Sequence, residues 1–330
     1  MLPKAGSKRR HNDKDKDKDT KNPRITKIPI HFFWFSRNES NPELPTFTHY
    51  SMKSYFDHGY ECNLWIYQPD MKNIPSYVQT QDATKVLSQH IFKQIMNNAQ
   101  GGKVGDIQHK KLAQVSDVFR IALFKKYWGW WSDCDVICLR KYPKPDAKCN
   151  GVIMAMCPCK RTGAYAPKRR ETQLVYEARK DDKYWEKCDG YDFFTFSVIY
   201  ADKPNMKIFN KLYTEIMNNY KNVLGRYTGI MDLVKLKMLD EGYAGSIYPT
   251  IAFSPLVWFK QTLIGHLNKP TSKGRTIFGT HEPSYSEIME KSFGIQLYSC
   301  NKTIRTAVEN SIDNFHPEST IYKILSKLKI

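Results

Sequence analysis

Apolar residues recur at spacings of three and four between Leu112 and Tyr127, with Val115, Val118, Phe119, Ala122 and Leu123 in the pattern. That period predicts a helix, and its apolar character nearly all round predicts a buried one. Gly129 breaks it, and Trp130 to Leu139 reads as a single strand of aromatic and β-branched residues. Upstream, ITKIPIHFFWF (25–35) and CNLWIYQ (62–68) are strand-length apolar runs flanking a helical pattern from Phe47 to Gly59. Ile74 to Asn98 reads as mostly helical and polar, and a glycine-rich break at 100–105 leads into the central helix. Downstream, GVIMAMC (151–157) and YDFFTFSVIY (191–200) are further buried strands. Ala201 to Asn222 runs from a Lys-Pro turn into an amphipathic helix, and 227–243 continues as a helix. Residues 318–330 form a lysine-rich helix with Ile321, Ile324, Leu325 and Leu328 on one side, a face expected to pack on the body rather than on a membrane. Strands alternating with helices predict an α/β fold with an open, mostly parallel sheet.

Some segments lie outside this pattern. Residues 1–24 carry KRRHNDKDKDKDTK without apolar periodicity and are expected to be a disordered basic tail. The main domain is expected over 25–295, with 296–330 as a helical extension packed on it. The run KRTGAYAPKRRETQ (160–173) reads as an exposed basic insertion. The net charge of +18 implies attraction to polyanions such as nucleotide phosphates, nucleic acid or anionic membrane. No stretch approaches the roughly 20 apolar residues needed to cross a bilayer. The charged N-terminus is no signal peptide, so a cytoplasmic location is expected and the sequons at Asn38 and Asn301 read as chance matches. With no secretory signal, the eight cysteines read as reduced, mostly buried thiols rather than a disulfide framework. Cys149, Cys157, Cys159 and Cys188 lack the CxxC pairs of common zinc sites.

The candidate chemistry sits in the central stretch. Asp117 and Arg120 are three apart on the helix, on one face, and their burial demands partners. Asp133 and Asp135 are two apart on the expected strand and so point the same way, with Cys134 and Cys138 opposite, toward the core. Two neighbouring carboxylates suit a hard divalent cation.

The combination Ser116-Asp117-x-x-Arg120, an aromatic-glycine turn at Gly129, then Asp133-x-Asp135 resembles the glycosyltransferases with the DXD sugar-binding region, glycosyltransferase family 32 and its relatives. The opening IPIHFFW resembles the first strand of the same group. The resemblance implies a GT-A fold and metal-dependent transfer, with Mn2+ or else Mg2+ as the metal, from a nucleotide sugar with retention at the anomeric carbon. It implies that Phe33 and Trp34 meet the nucleotide, with Trp34 stacked on the base. It implies that Asp117, Arg120 and Asp133 hold the sugar and ribose, and that Asp133, Asp135 and His281 of GTH hold the metal. Thr228 and Gly229 resemble the start of a further family helix, and Asp192 is a candidate acceptor-side carboxylate. A UDP-sugar is the favoured donor and a GDP-sugar the second choice, with a glycan or protein as acceptor and nucleic acid not expected as a partner. A cytosolic or pathogen-encoded route, in host cytosol or viral factory, fits the missing anchor. Two other readings stay open: a non-catalytic polyanion- or nucleic-acid-binding protein, and a phosphatase using DCDV as a DxDxV nucleophile motif.

Overall fold

The structure, a computed structural model, describes residues 27–99, 107–158, 192–204, 206–224, 229–248, 250–256, 275–277, 280–297 and 302–330. The expected tail, the basic insertion at 160–173, Thr228, Cys159 and Cys188 lie outside the described residues.

The chain runs β1 (Pro29–Trp34), α1 (Thr46–Asp57), β2 (Glu61–Ile66), β3 (Gln79–Asp82), α2 (Gln89–Asn98), α3 (Ile107–Leu123), β4 (Gly129–Ser132), β5 (Val136–Cys138), β6 (Val152–Pro158), β7 (Asp192–Ala201), β8 (Ile247–Tyr248), β9 (Arg275–Ile277), β10 (Thr280–Glu282) and β11 (Gly294–Gln296), with short helices among the later strands. Seven strands form the main sheet in the order β3-β2-β1-β4-β7-β6-β8. β7 runs against both neighbours, and the other adjacent pairs are parallel. The α/β expectation of an open, mixed, mostly parallel sheet between helices therefore holds.

Central strands are apolar on both faces because helices cover both. Alternation along β1 sends Phe33 into one core with Phe119 and Trp131, and Ile30 and Phe32 into the other with Trp130 and Tyr55. The two adjacent tryptophans of β4 thus serve opposite layers. α2, α3 and the helices Lys207–Asn218 and Gly229–Asp240 pack on the first face. α1 and Thr250–Phe253 pack on the second. Ile321, Ile324 and Leu325 of the C-terminal helix Thr320–Leu325 are buried with Phe47, Ile137 and Ile295. Among the described residues no helix is long and apolar enough to cross a membrane.

Three elements differ from the sequence expectation. Trp130 to Leu139 is not one strand. β4 ends at Ser132, Asp133–Asp135 form a turn closed by the Val136 N–H donating to the Asp133 carbonyl at 3.2 Å, and β5 leaves to pair with β11. Period-2 alternation continues across the turn, so the pattern alone hides the break. Second, β3 lies inside the stretch expected to be mostly helical. Its sequence QTQD is an exposed, polar edge strand with no apolar alternation to reveal it. Third, α3 ends at Leu123 rather than Tyr127, where Lys125 N–H and Lys126 N–H turn back to the carbonyls of Ala122 and Leu123.

The link from α3 to β4 depends on Gly129. Its φ is +108°, and an added Cβ would meet the Pro29 carbonyl oxygen at 2.4 Å, so only glycine lets β4 enter beside β1. His31, buried on β1, secures the same corner. Its Nε2 donates to the Trp128 carbonyl at 2.9 Å, and its Nδ1 accepts from Trp65 Nε1 at 3.3 Å. Burial lowers its pKa to about 4 against the opposing hydrogen bond to Trp128, so the ring is neutral and fully partnered.

Candidate functional site

From β1 the sheet grows to one side through β2 and to the other through β4. In open α/β sheets such a switch point leaves a crevice outside the carboxyl ends of the two strands. A cavity of about 560 Å³ lies there, lined by Phe33, Trp34, Arg120, Asp133 and Asp135, among others. Residues from β1, α3 and the turn after β4, distant from one another in sequence, thus line one cavity.

Arg120 organises that lining. Its Nη2 lies 3.0 Å from Asp133 Oδ1 and 3.3 Å from Asp117 Oδ1. Its Nε and Nη2 also donate to the Ser116 carbonyl at 3.1 Å and the Ser116 hydroxyl at 2.9 Å. The guanidinium carbon stands 4.9 Å from the centre of the Trp131 ring. Trp131 Nε1 donates to the same Asp133 oxygen, Oδ1, at 3.0 Å. Asp133 is the more open carboxylate, with 26% of its side chain exposed against 12% for Asp117. Asp117 is not among the lining residues. It sits behind Arg120, where burial pushes its carboxyl up to about 7; Arg120 lowers it and Asp133 adds to the rise.

The acidic turn is fixed from below by α1. Ser51, Ser54 and Tyr55 share one helical face and are fully buried. Ser51 Oγ donates to the Val136 carbonyl at 2.7 Å, and Ser54 Oγ accepts from Cys138 N–H at 2.8 Å. Tyr55 Oη donates to Ser132 Oγ at 2.7 Å, which donates to the Asp133 carbonyl at 3.0 Å. Tyr142 Oη meets Tyr55 Oη at 2.5 Å and, with the Tyr55 proton given to Ser132, is the donor. Cys134 and Cys138 are buried, as expected, and burial drives both thiols well above their ordinary pKa.

Trp34 is half-buried at the cavity edge, edge-on to Phe47 at 5.7 Å between ring centres, and its Nε1 has no hydrogen-bond partner. The C-terminal segment contributes Gln296, Arg305 and Glu309 to the same lining. The sequence analysis missed all three. No motif marks the two helix residues, but Gln296 is a lone polar residue within the apolar run Ile295–Leu297, and that was a usable signal. His281 lies on β10 in the β9–β10 hairpin, and its side chain is outside the described residues, as is that of Asp192. Gly229 opens the helix Gly229–Asp240 on the first face, where an added Cβ would meet the Val223 carbonyl oxygen at 2.0 Å, so packing accounts for this glycine.

Among the described residues no three His, Cys, Asp or Glu side chains are grouped to hold a metal ion. Asp133 and Asp135 nevertheless share the cavity with the Gln296 Oε1, buried without a hydrogen-bond partner. The oxygen-bearing side chains on this lining suit a hard cation such as Mn2+ or Mg2+ rather than a soft metal.

No protein-family model and no curated protein matches the sequence. Among solved structures, the PaToxG glycosyltransferase matches at 16% identity with a TM-score of 0.40, over 65% of this chain and 69% of that one. Mouse xyloside xylosyltransferase 1 matches at 11% identity and 0.35, over 69% of this chain and 87% of that one. The WbbM bifunctional glycosyltransferase matches at 12% and 0.37, over 92% of this chain and 52% of that one.

Proposed function

We propose that the chain is a GT-A-type glycosyltransferase that moves a sugar from a nucleotide-sugar donor, a UDP-sugar first and a GDP-sugar second, to a glycan or protein acceptor with retention. The observation that carries this reading is the cavity at the ends of β1 and β4, which gathers an aromatic pair, an arginine and two aspartates in one lining. Phe33 and Trp34 form the base and ribose end, with the Trp34 indole as a stacking surface. Asp133 and Asp135 would hold a divalent cation, which when bound supplies neutralising charge for the diphosphate leaving group. Arg120 faces the sugar hydroxyls and orients the anomeric carbon, and Asp117 behind it holds the guanidinium in place. Its fixed positive charge needs no reorganisation when negative charge grows on the donor. The resemblance adds His281 to the metal ligands.

The test is turnover of a panel of UDP- and GDP-sugars with and without Mn2+, read as free nucleoside diphosphate. Metal-dependent release from one donor, lost in Asp135→Ala, is the expected result. Release that Asp135→Ala leaves unchanged would overturn the assignment.

A further inference from the structure

One buried, unsatisfied oxygen belongs to Gln296, a residue that lines the cavity and has no place in the family motif. Gln296 is 9% exposed, lines the cavity, and has a buried Oε1 without a hydrogen-bond partner. A buried acceptor left open costs stability unless something fills it in the working state. Its aim follows from the strand. On β11 and just beyond it, Ile295 and Leu297 enter the core with Phe47, Ile137 and Val308. Alternation turns Gln296 the other way, toward the cavity.

Its neighbours decide what could fill it. β11 pairs antiparallel with β5, Gln296 stands opposite Val136, and Leu297 N–H donates to the Asp135 carbonyl at 2.8 Å. The ladder therefore fixes Gln296 beside the second aspartate of the turn. Asp133 approaches the same space from the other end of the turn, with Oδ1 taken by Arg120 and Trp131. The Gln296 side chain and the two aspartates thus line one cavity, and a divalent cation satisfies several oxygen acceptors together where one hydrogen-bond donor cannot.

We propose that Gln296 Oε1 is the third protein oxygen ligand of the divalent site formed with Asp133 and Asp135. This rests on the metal-dependent reading above and assigns a ligand that the resemblance does not. The site would be neutral amide plus two carboxylates, leaving the remaining positions to water and to donor phosphates. That composition suits a metal that arrives with a nucleotide better than one locked in a closed protein cage.

The test is Mn2+ binding to the full chain, read from the paramagnetic resonance signal of free Mn2+, with thermal unfolding measured alongside. Four proteins are compared: wild type, Gln296→Leu, Gln296→Glu and Asp135→Ala. The expected result is binding by wild type, loss in Asp135→Ala, at least about tenfold weaker binding in Gln296→Leu, and recovery in Gln296→Glu. A merely structural glutamine would lower the melting temperature when replaced. A ligand whose oxygen is unsatisfied in the free protein predicts that Gln296→Leu melts no lower than wild type. Equal Mn2+ affinity in wild type and Gln296→Leu would overturn the assignment of Gln296 while leaving the aspartate site standing. No Mn2+ binding by wild type, with or without UDP or GDP, would overturn both together.

Discussion

Arg120 Nη2 lies 3.0 Å from Asp133 Oδ1, so the central helix and the acidic turn after β4 are joined by one charged contact. The same nitrogen also reaches Asp117 at 3.3 Å and the Ser116 hydroxyl at 2.9 Å. Lysine keeps the charge but cannot serve these partners together. Arg120→Lys is expected to lower nucleotide release by about a hundredfold, the scale of a misplaced orienting group. Arg120→Ala leaves Asp117 buried without its cation and is expected to cost about 3–5 kcal/mol as well. Denaturant titration beside turnover separates the two effects.

Asp117 is expected to make the metal-free protein lose stability as pH rises from about 4 to about 7. Its carboxyl is raised from 3.8 to about 7 by burial, so the folded state holds a proton that the unfolded state has released. Stability contributed by the protonated form is complete below pH 4 and falls as pH rises through about 7. Asp117→Asn is expected to gain on wild type by a few kcal/mol, as an order of magnitude, between pH 4 and pH 8. Urea midpoints at those two pH values check this. A constant difference would refute it.

His31 acts in the opposite direction. Its folded pKa of about 4 lies below the ordinary 6.5, so its neutral form contributes stability that is complete above pH 6.5 and is lost as pH falls toward 4. The loss is on the order of 3 kcal/mol. His31→Phe, weakened by the missing bond to Trp128, should show a flatter fall in stability across that window than wild type.

Tyr55→Phe removes the donor that reaches Ser132 and, through it, the Asp133 carbonyl. The expected stability loss is about 1–2 kcal/mol. If this hydroxyl chain positions the turn, turnover should fall further than folding explains, through kcat rather than KM.

Much of the fold was legible because β1 and β4 are apolar on both faces and α3 repeats at helical spacing. Asp117 and Arg120 could be read together for the same reason: helical geometry fixes which residues share a face. The turn at Asp133–Asp135 was not legible, since VIC continues the alternation across it and only the β5–β11 pairing exposes the break. β3 stayed hidden as an edge strand of polar residues. Gln296, Arg305 and Glu309 join the aspartates in lining the cavity through long-range packing of the C-terminal segment, and apart from the polar Gln296 between Ile295 and Leu297 no local pattern marks them. The hydroxyls of α1 read as ordinary polar positions until their partners on Ser132, Val136 and Cys138 were seen.

The central claim is that the cavity between Trp34 and the acidic turn receives a nucleotide through a divalent ion, and binding tests it without any acceptor. Calorimetric titration of UDP and GDP into wild type and Asp135→Ala, with and without Mn2+, is the most direct measurement. Binding of at least one nucleotide only with Mn2+, abolished in Asp135→Ala and weakened about tenfold or more by Trp34→Leu, is the predicted result. No binding of either nucleotide in the presence of Mn2+ would contradict the account and favour a non-catalytic polyanion-binding role for this basic chain.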